Sequence, residues 1–131
     1  ICVVDGVIYI VGSISSANVA NVIKFNINTE TWSYGAQCPV VRYESYGVLL
    51  NRRIYMFGSY INNNLYMYDI DSNKWTRLAD LSWQPSWYGD NCCIKIDEET
   101  AYILGKPQNY ISVYKVPILN FESNSVILLN R

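Results

Sequence analysis

The sequence predicts an all-β chain assembled from repeated four-stranded units, and three observations carry that expectation. A short motif recurs: Ile8-Tyr9-Ile10-Val11-Gly12 returns as Ile54-Tyr55-Met56-Phe57-Gly58 and again as Ala101-Tyr102-Ile103-Leu104-Gly105, with the tyrosines 46 and 47 residues apart. Each copy is preceded by an apolar run and a tight turn. Each is followed by a second alternating segment that carries an aromatic residue.

Taken in order, a unit opens with a short apolar strand: Cys2-Val3-Val4, Val48-Leu49-Leu50, or Cys93-Ile94-Lys95-Ile96. Asp5-Gly6, Asn51-Arg52 and Asp97-Glu98-Glu99 then form the turns, and Asp-Gly between apolar runs signals a type I′ hairpin, whose two central residues need positive φ. The tyrosine motif is the second strand. The third is Val22 to Asn26, Leu65 to Asp69, or Ile111 to Lys115. A tryptophan seven residues after the aromatic, Trp32 after Phe25 and Trp75 after Tyr68, opens the fourth strand in the first two units. Four short strands per repeat of this length describe one blade of a β-propeller.

The repeated residues have structural reasons. Gly12, Gly58 and Gly105 close the second strand, where the backbone leaves the sheet at positive φ or passes close to a neighbouring unit. Tyr9, Tyr55 and Tyr102 can bury their rings between units while each hydroxyl keeps a polar partner. Trp32 and Trp75 are expected to fill the widening gap between neighbouring units.

This order of Tyr, two apolar residues and Gly, then an aromatic followed by Asn or Asp, then Trp, resembles the kelch repeat over residues 1 to 116. Pro39-Val40-Val41-Arg42 is similar to the Pro and Arg at the junction between kelch repeats. Where kelch units usually carry two adjacent glycines, this chain has Ser13, Ser59 and Lys106 in second place, and the third unit lacks the Trp near Phe121. The units so defined run approximately over 1–35, 45–79 and 90–131, giving a partial kelch β-propeller of about three blades with an incomplete ring. A closed propeller takes four to eight blades, roughly 200 residues or more at this repeat length. The chain also begins with Ile1 inside a strand, so it is expected to be a fragment. Val126 to Leu129 is either the outer strand of the last blade or a strand that closes the ring.

Composition narrows the functions. Half of the 131 residues are hydrophobic, and ten Lys and Arg are interspersed with eleven Asp and Glu for a net charge of −1, a balance that offers no basic track for nucleic acid. No apolar run approaches the roughly 20 residues of a membrane helix. The four cysteines, Cys2, Cys38, Cys92 and Cys93, form no CxxC pair and read as reduced thiols of a cytoplasmic protein. The chain contains no histidine, which removes the commonest general base and zinc ligand, and with them the usual Ser-His and Cys-His nucleophile pairs. No catalytic residue, metal site or cofactor is therefore expected, and Asp69, Asp71, Glu98 and Glu99 read as solvated turn carboxylates.

Function is expected in the loops between strands. One loop class follows the glycines: Ser13 to Ala20, Ser59 to Asn63, and Lys106 to Asn109. The other enters each inner strand: Ala36 to Ser45, and Asp80 to Gly89. Arg42, Tyr43, Tyr46, Tyr60, Trp83, Trp87 and Tyr88 are the candidate partner-binding residues, because arginine and large aromatic rings dominate protein interfaces.

The resemblance implies more. Such units resemble the kelch-like proteins of poxviruses and, more distantly, animal BTB-kelch proteins; heavy use of Ile, Asn and Tyr, whose codons are A/T-rich, fits a large DNA virus. A protein of that kind would work in the host cytoplasm, its propeller holding a target for a cullin-3 ubiquitin ligase. The BTB and BACK segments that would contact the cullin are not in this chain. The alternatives are an actin-binding kelch scaffold and the remnant of a truncated kelch gene.

Overall fold

The computed structural model describes residues 1–12, 21–40, 46–59, 62–80, 92–105, 110–117 and 122–128. All regular structure among them is β. Strands β1 (Cys2–Val4), β2 (Val7–Gly12), β3 (Asn21–Asn26) and β4 (Thr31–Tyr34) form the first sheet. The second contains β5 (Tyr46–Leu50), β6 (Arg53–Ser59), β7 (Asn62–Asp69) and β8 (Lys74–Asp80). The third contains β9 (Cys92–Lys95), β10 (Thr100–Gly105), β11 (Tyr110–Pro117) and β12 (Glu122–Leu128). Every sheet is an antiparallel meander, each strand pairing with the one before it. Val126 to Leu128 thus belongs to the outer strand of the third sheet.

The turns explain the registers. Asp5 and Gly6 adopt φ of 49° and 72°, and Asn51 and Arg52 adopt 44° and 63°, so both hairpins have the positive φ pair of a type I′ turn. Asparagine reaches this region with little strain, whereas arginine does so only where other contacts compensate. The turns between third and fourth strands also repeat. Asn26 Oδ1 accepts the N–H groups of Asn28 and Thr29, and Asp69 Oδ1 accepts that of Ser72. Four residues after Asn26 and Asp69, Glu30 and Asn73 both sit at φ 54°. The Asn or Asp after the aromatic is therefore the residue that folds this turn. Gly12 leaves β2 at φ 124°, a conformation open to glycine, and the β6 register shifts across Gly58.

Alternation along β6 divides the core in two. Ile54 and Met56 pack with Tyr9, Val22 and Tyr68 between the first and second sheets. Tyr55 and Phe57 point to the opposite face, where they pack with Leu50, Leu65 and Ala101 between the second and third. The second sheet is consequently covered on both faces, and β6 reads as an unbroken apolar run. The pattern translates through the repeat: Tyr9 faces the second sheet as Tyr55 faces the third. Cys38 is buried, and Cys2 and Cys93 are half-buried.

A second contact locks the first two sheets. The chain leaving β4 lies against the second sheet: Ala36 N–H donates to Asn73 Oδ1 at 2.7 Å, and Trp75 Nε1 donates to the Ala36 carbonyl at 2.8 Å. Tyr68 donates its hydroxyl to the same Asn73 oxygen at 2.6 Å. Gly35 is pinned beneath this cluster, where an added Cβ would stand 2.6 Å from the Tyr68 hydroxyl and 3.0 Å from Val22. Gly35→Ala should destabilise the fold by about 1–3 kcal/mol as an overpacked site. Part of the loss should be recovered in a Tyr68→Phe background, where the obstructing oxygen is gone; chemical denaturation of the four members of this cycle reads the coupling.

Candidate functional site

Two features of the described surface are organised beyond sheet packing: a polar chain along the hairpin tips and a bare apolar sheet face. Arg52 is the centre of the first. Its Nε and Nη2 donate to Asp71 at 2.8–3.0 Å, and its Nη1 donates to Asp5 Oδ2 at 2.5 Å. Asp71 lies in the β7–β8 turn of the same sheet, and Asp5 lies in the hairpin turn of the first sheet, so one guanidinium fixes two turns of its own sheet to one of its neighbour. A planar fork serves two carboxylates where a lysine would serve as a single point charge. These bonds offset the left-handed backbone at Arg52.

The neighbouring residue repeats the device. Asn51 donates its backbone N–H to Glu98 Oε2 at 3.0 Å, and Lys95 holds the other Glu98 oxygen. In both cases the first residue of one hairpin turn meets a side chain 47 residues later, in the turn of the next sheet. Lys95 and then the Asn51 N–H push the Glu98 carboxyl below its ordinary range. Asp69 is pushed down as well, chiefly by the Ser72 N–H. Arg53, 3.5 Å from Asp69, adds to the same effect. A general acid at neutral pH needs the opposite shift, so neither carboxylate is poised for that role.

Burial raises the pKa of Tyr9, Tyr55, Tyr68 and Cys2 above their ordinary values. The tyrosines are therefore neutral packing groups that keep the hydroxyl proton. Cys2 lines a cavity of about 110 Å³ between the first and second sheets, with Tyr9, Val11, Leu49, Ile54 and Met56. Its thiol faces mostly apolar neighbours. Among the described residues, no three His, Cys, Asp or Glu side chains converge as metal ligands.

The second feature is the outer face of the first sheet. Val3, Ile8, Phe25 and Trp32 stand opposite one another across four strands, and Ile10, Ile23 and Tyr34 form an adjoining row. Trp32 is 64 % exposed and Tyr34 71 % exposed. The expectation that Trp32 fills a gap between sheets is not met among the described residues: its ring packs on Phe25, 4.7 Å between centroids, with no described sheet over it. Trp75 does fill such a gap, packed on Tyr68 at 5.1 Å and bonded to the first sheet.

Of the other repeat residues, Tyr9 and Tyr55 are buried and Tyr102 is partly buried, while Gly105 ends β10. Among the candidate partner-binding residues, Tyr46 opens β5, its backbone opposite Phe57. Arg42, Tyr43, Tyr60, Trp83, Trp87 and Tyr88 lie outside the described residues. The strand ends that their loops join are described: Tyr34 and Tyr46, Ser59 and Asn62, Asp80 and Cys92. In a meander these fall at one end of each sheet, opposite the Asp5-Gly6 and Asn51-Arg52 tips. Sequence reasoning missed the roles of Arg52, Gly35 and Ala36. The available signal was the fixed spacing of the turns, which brings Asp5 and Arg52 to successive tips with opposite charge.

No protein-family model matches the chain, and no curated protein matches it. No helix among the described residues is long and apolar enough to cross a membrane.

Two outcomes test the polar chain. Arg52→Ala should lower the thermal unfolding midpoint more than Arg52→Gly, because both lose the carboxylate bonds but only glycine adopts φ 63° without strain. Glu98, whose pKa is lowered on folding, stabilises the native state above its ordinary value of 4.5, and that contribution disappears as pH falls through the depressed native value. Thermal midpoints measured across the acid range should therefore fall less steeply for Glu98→Gln than for the parent chain.

Proposed function

We propose that this chain supplies three consecutive kelch-type blades of a β-propeller whose loops bind a protein partner. The observation that carries the reading is the stack itself: three four-stranded meanders packed face to face in chain order, the first two each presenting a tyrosine face to the next. Propellers are built by radial repetition of four-stranded sheets, and stacked meanders of this size support that reading. The Tyr–apolar–apolar–Gly strand, the Asn or Asp turn and the following Trp support the kelch class of blade.

Within that reading the partner surface is the end of the sheets where β2 leads to β3 and β4 leads to β5. Arg42, Tyr43, Tyr46, Tyr60, Trp83, Trp87 and Tyr88 supply the contacts, aromatic anchors with one forked cation. The resemblance to poxviral and BTB-kelch proteins extends this to a role: the propeller part holds a target in the cytoplasm for cullin-3-dependent ubiquitin transfer, with the ligase contacted by other segments.

Affinity capture with the parent chain, Arg42→Ala and Trp87→Ala tests the loop assignment. Each variant should reduce recovery of the same captured protein by at least about tenfold, the effect of losing one interface hot spot. Recovery of an unchanged set by both variants counts against these loops.

A further inference from the structure

The three sheets end in outer edge strands that are not protected alike. On β8, the edge of the second sheet, Arg77 and Asp80 pair at 2.8 Å, and the register with β7 shifts so that Leu78 is left as an extra residue. The edge strand β12 has the same kind of shift, at Asn124, and begins with Glu122. Edge charges and bulges are devices that keep a sheet from adding a foreign strand. The edge strand β4 has neither: Thr31-Trp32-Ser33-Tyr34 is uncharged, exposed throughout and in unbroken register with β3. Two residues after its tryptophan the second sheet carries Arg77 and then the bulge, whereas the first carries Tyr34 and then Gly35. Gly35 keeps the register by donating its N–H to the Val22 carbonyl at 2.7 Å.

That bond also fixes which way the edge backbone points. In an antiparallel pair, residue pairs that exchange hydrogen bonds alternate with pairs that do not. Gly35 is bonded to Val22, so Ser33 and Thr31 bond across to Lys24 and Asn26, and the N–H and C=O groups of Trp32 and Tyr34 face away from β3. The bond from Ile27 N–H to the Gly6 carbonyl, on the other side of β3, gives the same parity. Among the described residues β4 has no second strand partner. This edge runs along the side of the sheet, a surface distinct from the faces through which the sheets stack.

We propose that β4 pairs with β4 of a second copy of this chain, antiparallel and about a two-fold axis at Ser33. The spacing of the free groups selects this occupant. With Ser33 opposite Ser33, Trp32 of each copy stands opposite Tyr34 of the other, and the two residues of each such pair exchange both N–H and C=O bonds, which satisfies every outward group of Trp32 and Tyr34. The same operation sets a tryptophan ring beside a tyrosine ring on both sides of the axis, a favourable cross-strand pair. It brings Thr31 opposite Gly35 and Glu30 opposite Ala36, so no like charges meet. The contact is isologous and closes as a dimer without propagating. A strand of 4 residues is far short of the roughly 20–30 residues a side of a stable interface, so the pair should form reversibly and at high protein concentration.

Sedimentation velocity of the 131-residue chain should show a monomer passing to a dimer, and to nothing larger, as concentration rises. In hydrogen exchange followed by NMR, the Trp32 and Tyr34 amides should exchange about tenfold more slowly once most of the chain is paired, while the Ser33 amide, already bonded to β3, is protected at every concentration. Tyr34→Lys copies the edge charge of the second sheet, removes both ring contacts and sets two lysines diagonally across the axis, so it should weaken association at least about tenfold. Tyr34→Phe keeps the ring and should dimerise as the parent does, and circular dichroism checks that both variants keep their strands. A chain that stays monomeric at every concentration, a dimer in which the Trp32 and Tyr34 amides exchange as fast as in the monomer, or a Tyr34→Lys variant that dimerises as well as the parent overturns the proposal. The blade reading stands or falls separately, because it rests on the stacked faces and not on this edge.

Discussion

Burial of the second sheet on both faces is the constraint from which most of this structure follows. A meander of short strands has no thickness of its own, and its apolar residues must be covered by another layer. In β6 every residue from Ile54 to Phe57 is buried, alternately toward the first and third sheets. Such a strand is stable only inside a stack. The same alternation in β2 turns Tyr9 toward the second sheet and Ile8 to the opposite face, where the Val3–Trp32 row has no described sheet over it.

A stack of sheets held only by apolar faces would be free to slide or rotate, since hydrophobic contact is not directional. The polar contacts remove that freedom. Arg52 ties the tip of its own sheet to Asp5, Asn51 ties it to Glu98, and the backbone N–H and C=O of Ala36 are held by Asn73 and Trp75 respectively. Several of these groups sit in the left-handed region, Asn51, Arg52 and Asn73 among them. The turn geometry therefore sets both the hairpin register and the direction in which a bridging group points toward the next sheet. Individually such exposed contacts are weak, and their effect lies in fixing one alignment among several of similar apolar burial.

Legibility from sequence followed the range of the interaction. The strands and the two-residue turns were readable because alternation and turn chemistry are local, and Asp5-Gly6 adopts the φ pair its residues imply. The Asn or Asp after the aromatic was visible as a pattern, while its reason, closing the turn through Oδ1, required coordinates. Trp32 and Trp75 are indistinguishable by spacing and differ in whether a described sheet lies over them. Arg52 was readable as a turn residue but not as a bridge, since its partners come from the previous sheet and from a turn 19 residues later. Gly35 is a glycine because of Tyr68, a contact no local rule anticipates. Of the candidate interface only Tyr46 falls among the described residues, in contrast to the frame that supports it.

The division between the two ends of the sheets bears on where recognition occurs. At the hairpin tips the connections of the first two sheets are uniform: two residues between first and second strands, with Asn26 and Asp69 folding the other turn alike. Their charged groups are engaged with one another, so Arg52, Asp5 and Asp71 are already committed to the frame. At the opposite end, the corresponding connections run from Ser59 to Asn62 in one sheet and from Gly12 to Asn21 in another. An end whose contacts align the stack cannot change without disturbing it, whereas an end whose connections already differ in length can change partner contacts and leave the packing intact. That asymmetry belongs to the β2–β3 and β6–β7 connections, while the Arg42 and Trp87 loops, which leave from the same end, span residues 35–45 and 81–91 alike; on the reading proposed above, the Arg52 chain is the frame on which that end is carried.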